Sequence, residues 1–309
     1  MPKLNIESRE QRIAQADQEM HQLLDGYEKL SKTKRIRRPL DLDDYKWDQA
    51  RSELTHPTVI DFLRFTFQVE IPSDLYAKPI LEAADREGLT SLRRFIENIW
   101  LPEEKGHGPL LGHAALAYGT ISKEEYNKDV TEIPKLDFPI GRGYSVGMVV
   151  MYGETQELGT KLSYRAMREN TQDPLLIAVL TDLEAQEMFH KGGYREFRKR
   201  IATGDDVVQT IRGFLFPGYI TSPKFQRQSS GWAKELGFDW GTMNHDLATG
   251  ILEQAGYSGL GRVVSSEIIR NGFPKPVKKV LSLSDRINNP VLNYLAGRVA
   301  TRVTQVKVA

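Results

Sequence analysis

The chain has 309 residues, 40% of them hydrophobic and 27% charged, enough to bury one large core or two modest ones. A formal net charge of +1 gives no global field toward nucleic acid or a membrane surface. The absence of cysteine excludes disulfides, a thiol nucleophile and any Cys-held zinc or iron–sulfur cluster, so a metal must be held by His and carboxylates.

No apolar run approaches the roughly 20 residues of a membrane span. The longest candidate, Tyr144 to Tyr152, is far too short. The N-terminus lacks an apolar signal core and carries too many acids for a transit peptide. A soluble cytoplasmic protein is expected, or a plastid stromal one if a transit segment has been removed. Neither nucleic acid nor a membrane span is expected.

Alternating runs of Val, Ile and Thr do not recur, and apolar residues fall mostly at helical spacing, so the expected fold class is all-α. A charged helix runs from about Glu7 to Leu30. The basic run Lys32 to Arg38, closed by Pro39, reads as a solvated linker or a docking patch for an acidic partner. A helix follows over roughly Pro57 to Asp85, with kinks expected at Pro72 and Pro79. Arg86-Glu87-Gly88 makes a turn, and a second helix returns over about Thr90 to Tyr118. The capping box Ser122 to Glu125 opens a short helix. Pro134 to Gly143 is a loop. A second hairpin spans about Tyr144 to Glu169, turns at Asn170 to Pro174 and returns to about Ile201. Shorter helices are expected over 205–216, 223–236, 239–256, 263–271 and 284–302. No composition shift cuts the chain, so a single domain over 1–309 is expected, with its core at about 57–220.

Two Glu-x-x-His motifs stand out, Glu104 to His107 and Glu187 to His190. Residues three apart share a helix face, so both side chains of a motif can reach one metal. The motif alone is weak, since about 0.4 chance matches are expected on ordinary composition. A third copy, Glu53 to His56, runs directly into Pro57, which pushes His56 out of helical geometry. It is set aside.

Hairpin geometry is more informative. Residues equidistant from an antiparallel turn lie at one height. Glu70 and Glu104 have their midpoint at position 87, inside the first turn, and Glu157 and Glu187 have theirs at 172, inside the second. Each hairpin therefore sets one lone Glu opposite one Glu-x-x-His, about 25 Å from its turn at 1.5 Å per residue. Stacked hairpins bring four carboxylates and two imidazoles to one level. That is the ligand set of ferritin-like di-iron carboxylate bundles, and an oxygen and nitrogen set without thiolate suits non-haem iron or manganese. Glu104 and Glu187 are expected to bridge two metals, Glu70 and Glu157 to be terminal, and His107 and His190 to bind one metal each. Thr160, one turn after Glu157, reads either as a hydroxyl bonded to its own helix or as a proton-handling catalytic group. Trp100, one turn before Glu104, reads as core or as an electron path to the metals.

The residues resemble those of the soluble acyl-acyl-carrier-protein desaturases. Glu103-Glu-Lys-Gly-His-Gly-Pro-Leu-Leu111 is similar to that family's Glu-Glu-Asn-Arg-His-Gly-Asp-Leu-Leu, and Gln156-Glu-Leu-Gly-Thr160 to its Gln-Glu-Arg-Ala-Thr. Gln186-Glu-Met-Phe-His190 is similar to its Asp-Glu-Lys-Arg-His, and Glu70, Pro72 and Tyr76 to its lone Glu followed by Pro and Tyr. The resemblance covers roughly residues 57 to 220. It implies oxygen-dependent insertion of a double bond into an acyl chain on acyl carrier protein, two iron ions, electrons from ferredoxin, and a homodimer. Gln186 stands where the family usually has Asp, Gly106 and Phe189 where it has Arg, and Pro109 where it has Asp. These departures keep two alternatives open, another di-iron oxygenase (hydroxylase or N-oxygenase) and a non-catalytic iron-binding bundle.

Overall fold

The computed structural model describes residues 9–33, 39–135 and 143–202, together with Asp206, Glu235 and Leu236. The chain divides into two compact units, Met1–Phe238 and Asp239–Ala309, and the second lies outside the described residues. So do Lys34 to Arg38 of the basic run, most of the loop before Gly143, and the helices expected beyond Gly204, so the single-domain expectation reaches past what is described.

The described chain is all-α, as the apolar spacing predicts. In order it forms α1 (Arg9–Thr33), α2 (Pro57–Glu70), α3 (Ser73–Glu87), α4 (Thr90–Phe95), α5 (Leu101–Ala117), α6 (Lys123–Glu132), α7 (Val146–Glu169) and α8 (Pro174–Ile201). Among the described residues no helix is long and apolar enough to cross a membrane.

The first hairpin is broken twice, each time beside the polar residues of interest. Pro72 has no N–H to continue α2, so the helix stops at Glu70 and restarts at Ser73, whose hydroxyl donates to the Glu70 carbonyl at 2.9 Å. The expected kink is thus a full break, whereas Pro79 sits inside α3 without one. Gly88 ends α3 with φ 74°, and Leu89 N–H donates to the Ala84 carbonyl, a left-handed helix stop. On the return, Pro102 cannot donate to Asn98, and its ring crowds that carbonyl. The backbone widens into one π turn, Ile96–Trp100, joining α4 to α5 one turn before Glu104.

The second hairpin is simpler. Ser145 caps α7 and Asp173 caps α8, with Pro174 at the first helical position. Asp173 is fully buried and also accepts from Arg51 N–H at 2.6 Å and from the Tyr118 hydroxyl. It ties three segments together. The Ser122–Glu125 capping box forms as read from the sequence.

Helix α1 is more than a charged arm. Ile13, Ala16, Met20 and Leu24 form a buried stripe packed with Leu92, Phe95 and Ile96. Asp17 accepts from Ser91 N–H at 2.6 Å, capping α4 from outside. Phe189 meets Tyr27 edge to face at 4.8 Å. Between α1 and α2, residues 39–55 cross the bundle as short 3₁₀ turns, and Leu40 lies against Gly106 so closely that a Cβ there would sit 3.0 Å from the Leu40 carbonyl oxygen.

Two apolar clusters fill the bundle. One holds Ala77 to Ile99, Val146 to Val150 and Tyr194 to Ile201 with α1. The other holds Val59 to Phe67, Leu110 to Ala115, Tyr164 to Met167 and Leu176 to Leu183. Each long helical path passes from one cluster to the other. Glu70, Glu104, His107, Glu157, Glu187 and His190 all lie at that crossing.

Candidate metal centre

All six residues singled out by hairpin symmetry are buried, and the helices bring them together. Glu70, Glu104, His107 and Glu187 form one group and Glu104, Glu157, Glu187 and His190 a second; within each, one potential ligand atom per residue lies within 4.8 Å of the others. Glu104 and Glu187 belong to both groups. The discarded motif is not part of them: His56 is exposed and accepts from Thr58 N–H at the start of α2.

Both imidazoles turn Nδ1 toward the carboxylates. His107 Nδ1 is 3.2 Å from Glu187 Oε1 and 3.5 Å from Glu104 Oε2. His190 Nδ1 is 2.9 Å from Glu104 Oε1 and 3.5 Å from Glu157 Oε2. None of these contacts has the alignment of a hydrogen bond, so His107 Nδ1, His190 Nδ1, Glu104 Oε1 and Glu187 Oε1 are buried polar atoms without a hydrogen-bond partner among the described residues. Stranding such atoms costs on the order of 1–3 kcal/mol each. They fall within the two groups that share Glu104 and Glu187, one imidazole in each, and bound cations would relieve them. The donor set therefore fits a metal site, and its oxygens and imidazoles suit iron or manganese.

The electrostatics agree. Burial pushes Glu70 up to about 7, against a hydrogen bond from Tyr164, and burial with neighbouring carboxylates pushes Glu104 up to about 7. Burial drives Glu187 well above the usual carboxylate range, helped by Glu104 and Glu157. Glu157 goes the other way: burial would raise it, but the adjacent Glu187 and His190 and the hydrogen bond from Trp100 hold it low. Burial disfavours the imidazolium of His190, yet Glu103, Glu104 and Glu157 raise it well above its ordinary value. Protons here stand where metal charge would stand.

A second layer holds these groups in place. Trp100 donates its indole N–H to Glu157 Oε1 at 2.9 Å, and Tyr164 its hydroxyl to Glu70 Oε1 at 2.8 Å. Behind the imidazoles the support is crossed. Glu103, next to Glu104 on α5, accepts from His190 Nε2 of α8 at 3.0 Å; Gln186, next to Glu187 on α8, accepts from His107 Nε2 of α5 at 2.9 Å. Neither Glu103 nor Tyr164 was singled out from the sequence, although Tyr164 lies seven residues past Glu157, two turns along the same face. Thr160 is half-buried and its hydroxyl donates to its own helix at the Gln156 carbonyl, 3.0 Å.

Residues 84–215 match the fatty acid desaturase family. No curated protein and no solved structure matches the chain. The desaturase match is the family anticipated from the motifs, and it supports a desaturase-like oxidoreductase of lipid metabolism. It spans five of the six convergent residues; Glu70 precedes it, so its place in the constellation rests on geometry.

Proposed function

We propose that the chain is an oxygen-dependent acyl-acyl-carrier-protein desaturase with a di-iron centre held by Glu70, Glu104, His107, Glu157, Glu187 and His190. The observation that carries this reading is the pair of four-residue groups sharing Glu104 and Glu187, within a chain whose desaturase match covers both Glu-x-x-His motifs. The shared carboxylates would bridge two ions. Glu70 with His107, and Glu157 with His190, would complete one position each. Four carboxylates balance two divalent ions, which offsets the cost of burying them.

When bound, the iron pair supplies the oxidising chemistry by which dioxygen, two electrons and two protons convert an adjacent methylene pair to a double bond and two waters. The chain's own residues do the rest. Trp100 and Tyr164 fix the terminal carboxylates, and Glu103 and Gln186 fix the imidazoles, so the ligands are preorganised. Thr160 would deliver protons after its hydroxyl rotates away from Gln156. Acyl carrier protein, a ferredoxin-type donor and a homodimeric state carry over from the family resemblance.

The test is reconstitution with ferrous iron, elemental analysis, and incubation with acyl carrier proteins of varied chain length, reduced ferredoxin and oxygen. The reading expects about two irons per chain and an unsaturated product. Fewer than about one iron per chain removes the centre, and full loading without unsaturated product at any chain length removes the desaturase assignment.

A further inference from the structure

The two positions of this centre are matched in almost every respect. They share Glu104 and Glu187. Each has one terminal carboxylate, and each of those accepts one hydrogen bond from a buried aromatic donor, Tyr164 to Glu70 and Trp100 to Glu157. Each has one histidine presenting Nδ1. What differs is the group behind each imidazole. His190 is backed by the carboxylate of Glu103, His107 by the amide of Gln186. With Nδ1 turned to the metal side, His107 Nε2 carries the proton, and the amide oxygen is the part of Gln186 that can accept it.

We infer that the two metal positions are unequal by construction: the position of His190 and Glu157 fills first and tightly, and that of His107 and Glu70 fills second and weakly. The inference rests on the metal centre proposed above. Glu103 and Gln186 are both buried, so the difference between an anion and a neutral dipole is not screened by water. A carboxylate behind the N–H makes the imidazole more basic and follows the metal's charge; an amide does so far less. Glu103 Oε1 points the same way. Among the described residues it is buried without a hydrogen-bond partner, so this carboxylate is directed at His190 and gains most when the ring binds a cation. The crossed wiring separates motif from affinity. The residue that strengthens the α8 histidine is on α5, and the one that leaves the α5 histidine weak is on α8.

The experiment is a titration of the metal-free full chain with cobaltous ion, followed by calorimetry and visible absorption. The native chain should bind two equivalents in two steps, the first tighter by about 10- to 100-fold, the usual size of an outer-layer effect on metal affinity. Gln186→Glu, which keeps the side-chain length, should tighten the second step and leave the first in place. Glu103→Gln should weaken the first. The double variant should exchange the order, as read by which step is lost on adding His107→Ala or His190→Ala. Thermal melts report whether each variant folds, and Gln186→Asp supplies the same charge one methylene shorter. Indistinguishable steps in the native chain overturn the inference while leaving the centre intact. Equal tightening of both steps by Gln186→Glu does the same, because it would mark a general charge effect. No cobalt uptake at all removes the centre and the inference with it.

Discussion

Tyr164→Phe isolates one hydrogen bond at the centre. Tyr164 is fully buried, and the change removes only its hydroxyl, the donor 2.8 Å from Glu70 Oε1. The ring stays, so the packing loss is small. A hydrogen bond to a charged group is worth roughly 1.5–3 kcal/mol, which corresponds to about 10- to 100-fold in an equilibrium constant. The sign follows from protonation. Burial already raises Glu70 to about 7, and the Tyr164 donor pulls against that rise. Without it the metal-free Glu70 holds its proton to higher pH, and a metal must displace that proton to bind. Metal affinity of Tyr164→Phe should fall about 10- to 100-fold at pH 7 and recover partly by pH 8.5. The assay is a metal titration at several pH values, with thermal melts of the metal-free and loaded forms. Equal affinity for the variant and the native chain across that pH range would refute the reasoning, because Glu70 would then owe nothing to Tyr164.

Three further outcomes are expected. Glu70 and Glu104 are both raised to about 7, chiefly by burial, so their stabilising contribution to the metal-free chain is fully present below the unfolded value near 4.5 and is lost as pH rises through about 7. Metal loading reverses this, so the gap in melting temperature between loaded and metal-free protein should widen from pH 5 to pH 8; a gap that narrows would count against the two shifts. Gly108→Ala would place a Cβ 3.1 Å from Ile71 Cα and N and 3.3 Å from the Glu70 carbonyl carbon, so the end of α2 must move. Its metal affinity should drop more than that of Gly106→Ala, whose Cβ meets Leu40 instead, and the same titration ranks the two. Asp173→Ala strips the α8 cap and strands Arg51 N–H and the Tyr118 hydroxyl, so chemical denaturation should report a loss well above the roughly 1 kcal/mol of an ordinary cap.

The constellation was legible because an antiparallel hairpin converts sequence distance from a turn into height. Glu70 with Glu104, and Glu157 with Glu187, needed only that rule and the two turns. Helix identity followed from apolar spacing and caps, as at Ser122. What the sequence withheld depends on side chains from different helices meeting. The pairing of Glu103 with His190 and of Gln186 with His107 is one case, because a motif gives no sign that its neighbour serves the opposite helix. Local breaks were half legible. Pro72 announced a disturbance but not a full break of the helix, and the π turn before Pro102 left no periodic trace. The apolar stripe of α1 was obscured by its many charges, and its partner Phe189 showed only as a departure from the family pattern.

The position of the polar level, between two apolar clusters that every long path crosses, bears on how the molecule holds together as a cooperative unit. Each cluster is a sufficient local core for the helix segments around it, while the level between them, without metal, is a seam of mutually repelling carboxylates and shared protons. Coupling between the clusters then runs through the backbone of the continuous helices α7 and α8 and, with metal bound, would run through the ligand bonds as well. The expected outcome in hydrogen exchange is two units that open separately when the seam is bare and one unit when ligand bonds span it. The same six side chains that would hold the metals would therefore also act as the rivet between two half-cores, so that loading the centre and consolidating the fold would become a single event.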